Sequence, residues 1–110
     1  MNEMTITRFI LIETADGEPS PCGVFKTRNE AAKVMMDNLY DHLNAVSPEP
    51  EDQEALEEMW AELEESVAKT GAFSGDLDGS SVGIDATRAW SDVAYGYPYN
   101  WIICEINIPV

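Results

Sequence analysis

The sequence predicts an α+β protein: a two-layer sandwich in which a two-helix hairpin packs on a three- to four-stranded, mainly antiparallel sheet. Three observations carry that expectation. Runs rich in β-branched and aromatic residues stand near both ends of the chain, at 5–14 and 101–108. Between them lie two stretches whose apolar residues recur at helical spacing. A short join between those stretches makes them an antiparallel pair that can cover one sheet face. With 110 residues, the chain is expected to form one domain, 1–110, around a single core.

The elements follow in order. Residues 5–14 form the first strand, with Phe9 and Leu11 on one face and Ile10 and Ile12 on the other, the pattern of a strand covered on both sides. Residues 15–21 hold Gly17, Pro19 and Pro21 and read as a loop. A short second strand is expected over 22–26. Thr27 offers a helix N-cap with Glu30 three residues on, a capping box. The first helix then runs to about Ala45, with Ala32, Met35, Met36, Leu39 and Leu43 as its apolar stripe and Glu30, Lys33, Asp37 and Asp41 on the opposite arc. Ser47 and Pro48 open a second helix, Gly71 closes it, and Leu56, Met59, Trp60, Leu63 and Val67 form its core stripe.

Residues 72–83 are small and acidic and read as a loop with some extended structure. A strand is expected over 81–90, where Val82, Ile84 and Ala86 alternate, and a long aromatic loop over 91–100. In the last strand Ile102, Cys104, Ile106 and Ile108 share one face, and Trp101, Ile103, Glu105 and Asn107 the other. The order is β–(β)–α–α–β–β. The first and last strands are the most apolar, so they should be neighbours inside the sheet. The face of Phe9, Leu11, Trp101 and Ile103 is then expected to be the one the helices leave open, a candidate dimer surface.

Charge is the unusual property of this chain. Twenty-one acids face six bases, a net charge of −15 at pH 7. That field repels phosphate backbones and anionic membranes, so direct nucleic-acid binding and membrane binding are not expected. It favours encounter with a basic protein surface. No basic-plus-apolar leader opens the chain, and the longest apolar run, 9–12, is far too short to span a membrane. Cys22 and Cys104 are far apart and outside any C-x-x-C pair. They read as free thiols of a cytoplasmic protein, although spacing alone leaves a single bridge open.

Between Glu49 and Lys69 there are nine acids and one base. At about 100° per residue, Glu51, Glu54, Glu58, Glu62 and Glu65 fall on one row, opposite Trp60 and Leu63. Such a row can stand in for a line of phosphates; it can equally be a solvated face that keeps the protein soluble. Tyr95 and Tyr97, in the aromatic loop, are candidate exposed anchors, while Trp90 and Trp101 suit a structural role. Asp76, Asp78 and Asp85 partly match a calcium loop, but Ser74 occupies the first ligand position, so an acidic turn is the stronger reading. Gly79-Ser80-Ser81-Val82-Gly83 has the letters of a nucleophile elbow without its context, and the one histidine, His42, lies upstream at the flank of a helix stripe. No catalytic residue, cofactor or metal site is expected.

Gly23-Val24-Phe25-Lys26-Thr27 before an Ala/Met-rich helix, an acidic middle, Ala89-Trp90-Ser91-Asp92 and the terminal 100–106 segment complete the pattern. In outline the chain resembles small acidic accessory proteins of bacteriophages and conjugative elements of gut bacteria. Most such proteins are uncharacterised; several, among them anti-restriction and anti-CRISPR inhibitors, are acidic and occupy the nucleic-acid site of a nuclease, and no functional residue of a known inhibitor matches this sequence. Two functions are therefore expected. One is a non-enzymatic DNA mimic that blocks a basic site on a nuclease or regulator through Glu51, Glu54, Glu58, Glu62, Glu65, Tyr95 and Tyr97. The other is a structural or assembly domain, homodimeric through its sheet rather than monomeric, whose acidity serves solubility.

Overall fold

The computed structural model describes residues 4–15, 17–46, 49–77, 80–92 and 99–109. Eight elements follow one another: β1 (Thr5–Ala15), β2 (Glu18–Phe25), α1 (Arg28–Ala45), α2 (Pro50–Thr70), β3 (Phe73–Leu77), β4 (Ser80–Ile84), β5 (Arg88–Ser91) and β6 (Tyr99–Pro109). The strands make one six-stranded sheet in the order β2-β1-β6-β5-β4-β3, with every neighbouring pair antiparallel. The α+β class and the two helices agree with the sequence reading. The sheet is larger than the three or four strands expected, and the order becomes β–β–α–α–β–β–β–β. As expected, β1 and β6 are neighbours inside it, paired along their whole length from Thr5–Pro109 to Ala15–Tyr99.

Each extra strand has a physical origin. The single strand expected over 81–90 breaks at Asp85, whose carboxylate accepts hydrogen bonds from the Thr87 N–H (2.8 Å), the Arg88 N–H (2.9 Å) and the Thr87 hydroxyl (2.9 Å). That side chain turns the chain back on itself without Gly or Pro and creates the β4–β5 hairpin. Residues 73–77, expected as loop, pair with β4 from Phe73–Ile84 to Leu77–Ser80. Gly75 is permitted there because the Phe73 ring lies over its Cα, within 2.6 Å of where a Cβ would sit. In β2 the prolines mislead. Pro19 and Pro21 sit on the edge strand of the sheet, where a missing N–H leaves no ladder bond unmade. A register shift between Leu11 and Ile12 leaves Cys22 as the extra, bulged residue.

The helices form as their patterns require. Thr27 caps α1, its hydroxyl accepting from the Glu30 N–H at 3.2 Å. The N-cap of α2 is Glu49 with Pro50 in the first turn, two residues beyond the expected start; Ser47 and Pro48 lie outside the described residues. Gly71 ends α2 in the left-handed conformation (φ 83°), its N–H bonded to the Val67 carbonyl. The helices run antiparallel: Gln53 donates to the Asn44 carbonyl, and Tyr40 meets Glu57 and Trp60.

Both helices cover the same sheet face, α1 over β1, β2, β6 and β5, and α2 over β3. The core joins Ala31, Met35, Leu39 and Leu43 of α1 and Leu56, Met59, Trp60 and Leu63 of α2 to Leu11, Leu77, Val82, Ile84, Ala89, Trp101 and Ile103 of the sheet. Each large side chain so buried stabilises by about 1.5–3 kcal/mol. The faces are therefore the reverse of the expectation. Leu11, Trp101 and Ile103 are buried under the helices, with Phe9 packed against them, and the isoleucine face is the open one. Strands β3 to β5 decide this. Val82, Ile84, Ala89, Phe73 and Leu77 share the face of Leu11 and Ile103, with the buried Ser91 among them, whereas Arg88, Ser81, Ser74 and Asp76 project from the other side beside Trp90.

Candidate functional site

The outer surface of the helix layer is the acidic site. α2 presents it because the stripe Leu56, Met59, Trp60 and Leu63 is buried, which fixes the opposite arc toward solvent. Glu51, Glu54, Glu58, Glu62 and Glu65 are all exposed along that arc. Fourteen residue steps separate the first from the last, so the row is about 21 Å long. Glu51 and Asp52 lie in the first turn and Lys69 in the last, each favoured by the helix dipole. Among the described residues, the one ion pair on this face is Glu65–Lys69 at 2.7 Å, exposed on both sides and so worth at most a few tenths of a kcal/mol.

A second bank of carboxylates stands beside the row. Asp37 and Asp41 of α1 and Glu57 and Glu64 of α2 line an open groove of about 530 Å³ between the helices, floored by Tyr40 and Trp60. The two rings meet edge to face, with centroids 5.0 Å apart. Tyr40 donates its hydroxyl to Glu57; that bond first, then burial and the charges of Glu57 and Asp41, raise its pKa above the ordinary tyrosine value. A single helical wheel does not show this bank, because its carboxylates come from two helices. The signal that could have found it is the short join, which pairs residues whose numbers sum to nearly the same value, as in Asn44/Gln53 and Tyr40/Glu57. On the other flank, Glu58 and Glu62 line a groove of about 310 Å³ with Ser74, Gly75 and Asp76 of β3.

The remaining candidates fall elsewhere. Tyr95 and Tyr97 lie outside the described residues. Trp90 lies flat across Gly83, where a Cβ would come within 2.0 Å of its ring, and its N–H bonds the Ser81 hydroxyl at 3.1 Å. Trp101 is buried, its N–H bonded to a Glu13 carboxylate oxygen at 3.1 Å. Asp76 pairs with Ser81, so four further residues, roughly 13 Å of strand, carry the chain to Asp85. The Asp85 carboxylate is itself engaged in its turn and with Arg88, 3.5 Å away. Asp76 and Asp85 therefore cannot serve one calcium loop; Asp78 is outside the described residues. Among the described residues, no group of three His, Cys, Asp or Glu is arranged to hold a metal ion.

His42 packs at the sheet end of α1, its ring 4.0 Å from that of Tyr99 and edge-on to Trp101 at 5.9 Å. Its buried Nε2 finds no hydrogen-bond partner among the described residues, and burial holds its pKa below the ordinary histidine value. Cys22 and Cys104 are both free. No described helix is long and apolar enough to cross a membrane. No protein-family model, curated protein or solved structure matches this chain.

Proposed function

We propose that this is a non-enzymatic interaction protein of the cytoplasm, an acidic inhibitor or DNA mimic of the anti-restriction or anti-CRISPR type. Its helix layer occupies a basic nucleic-acid-binding site on another protein, a nuclease or regulator. The observation that carries this reading is the exposed row Glu51, Glu54, Glu58, Glu62 and Glu65, held at fixed spacing by a buried stripe. Five charges over about 21 Å is one per roughly 5 Å, against one phosphate per 3.4 Å of axis on a DNA strand. The charge density is thus comparable, and it is displayed on a rigid rod rather than a mobile tail. Asp37, Asp41, Glu57 and Glu64 add a parallel bank, which suits a cleft lined by arginine and lysine, since guanidinium forks bind carboxylates as they bind phosphates. Long-range attraction steers the encounter, and salt weakens it.

The test is capture of proteins from a bacterial lysate on the immobilised chain at low salt, followed by elution with rising salt. The wild-type chain should retain nucleic-acid-binding proteins that elute as salt is raised. Replacing the five glutamates by glutamine should abolish their retention. Equal retention by the substituted chain would refute the mimic reading.

A further inference from the structure

The helix layer leaves one face of the sheet uncovered, and that face is apolar. Four consecutive outward rungs of the β1–β6 ladder are Ile6–Ile108, Arg8–Ile106, Ile10–Cys104 and Ile12–Ile102. Ile6, Ile102 and Ile108 are 37%, 47% and 43% exposed, and Val24 of β2, beside Ile10, is 60% exposed. Trp90 and Arg88 continue the face across β5, the guanidinium lying 5.2 Å from the indole ring centroid. Between β5 and β6 the side chains of Arg88, Trp90, Asn100 and Ile102 border a depression of about 380 Å³, room for an aliphatic knob. No carboxylate projects onto this face from β1, β2 or β6. Glu13, Glu18 and Glu105 occupy the rungs of opposite parity, on the helix side.

We propose that a second copy of this chain covers this face, the two sheets packing back to back with both acidic helix layers turned outward. Area supports that occupant. The patch spans eleven residues each of β1 and β6, eight of β2 and four of β5, roughly 550 Å² of sheet at about 3.4 Å per residue and ~4.8 Å per strand, close to the roughly 600 Å² per partner at the lower end of specific interfaces. Charge selects the orientation. Two chains of net charge −15 repel one another through their helix layers, and the isoleucine face lets them meet without setting carboxylate against carboxylate. A basic partner is drawn to the helices instead. Aligned sheets at about 10 Å separation would interdigitate the four isoleucine rungs, as in any sandwich core.

Sedimentation equilibrium of the full chain tests this. At tens of micromolar the expected mass is about 24 kDa, twice the 12.2 kDa chain, and the dimer should tighten as salt approaches 1 M, where the Debye length is ~3 Å. Ile106→Lys and, separately, Ile102→Lys, which alters a side chain already 47% exposed and so spares folding, should each weaken dimerisation at least tenfold with unchanged far-UV circular dichroism. The variant with five glutamates replaced by glutamine should remain dimeric, which separates this surface from the acidic one. A wild-type mass of 12.2 kDa at every concentration and salt, or a dimer that survives both lysine substitutions, overturns the proposal.

Discussion

The outer face of the helix layer and the open face of the sheet both meet solvent, yet they are made of opposite materials. On α2 the exposed arc carries Glu51, Glu54, Glu58, Glu62 and Glu65, whereas four of the five outward rungs of β1 and β6 carry seven apolar side chains and Arg8, and the fifth is Thr14–Asn100. Charge in this chain is therefore segregated. A surface evolved only for solubility would spread its carboxylates over both faces. Here one side of the molecule is suited to long-range, salt-sensitive attraction and the other to short-range apolar contact that salt strengthens. The contrast teaches that the acids are unevenly placed: twelve of the twenty-one lie between Glu30 and Glu65, in the helix layer, and none stands among the four isoleucine rungs of β1 and β6.

The comparison is broken most forcefully at two adjacent residues of β6. Trp101 is 1% exposed under the helices, and Ile102 is 47% exposed on the open face. Trp101→Ala should cost about 3–5 kcal/mol through the lost indole and its bond to Glu13. Ile102→Ala should cost about 1 kcal/mol or less at low protein concentration. Urea unfolding of both variants measures the difference, and similar losses would mean that the two faces have been assigned wrongly. Gly83→Ala probes the open face next. Its Cβ would lie within 2.0 Å of the Trp90 ring, so the indole must leave its bed and the Ser81 hydroxyl, at about 1–3 kcal/mol in the same assay.

How far these faces were legible in the sequence follows from the same residues. Strict alternation separated Ile102, Cys104, Ile106 and Ile108 from Trp101 and Ile103 correctly, because period two is a local property. Which set faces the helices is not local. In β1 and β6 both faces are apolar, and the decision rests with Val82, Ile84 and Ala89 in strands that the sequence reading had merged or taken for loop. The merging came from Asp85, an Asx turn without Gly or Pro, and the missed length of β2 from two prolines that an edge strand tolerates. The helices were legible to within two residues, since capping and a 3.6-residue period are both local. The acidic row was visible on one helical wheel. Its companion bank of Asp37, Asp41, Glu57 and Glu64 needs two helices in register.

A smaller effect sharpens the boundary between the layers. Burial lowers the pKa of His42, whose Nε2 is unpartnered among the described residues. Its folded pKa lies below its unfolded value of about 6.5, so its contribution to stability is complete above pH ~6.5 and declines as pH falls toward the folded value. His42→Phe should raise stability by about 1 kcal/mol near neutral pH and flatten that decline. Thermal unfolding between pH 7 and 5 checks both; a variant with an unchanged slope would contradict the burial argument. Smallest is the effect on folding of replacing Glu51, Glu54, Glu58, Glu62 and Glu65 by glutamine. Four neighbouring like-charge pairs within the row are relieved and the Glu65–Lys69 pair is lost, each worth a few tenths of a kcal/mol. Stability should therefore rise by less than about 1 kcal/mol, measured by the same melts, and a clear loss would show that these carboxylates serve the fold.

The central claim is that the helix layer stands in for a nucleic-acid strand, and competition tests it most directly. Proteins from a bacterial lysate are bound to the immobilised chain at low salt and then challenged with a short DNA duplex or single strand. The account predicts that the bound proteins are released by nucleic acid at constant salt, and that the five-glutamine chain never binds them. Proteins that stay bound under excess nucleic acid, or that bind the five-glutamine chain equally well, would contradict it.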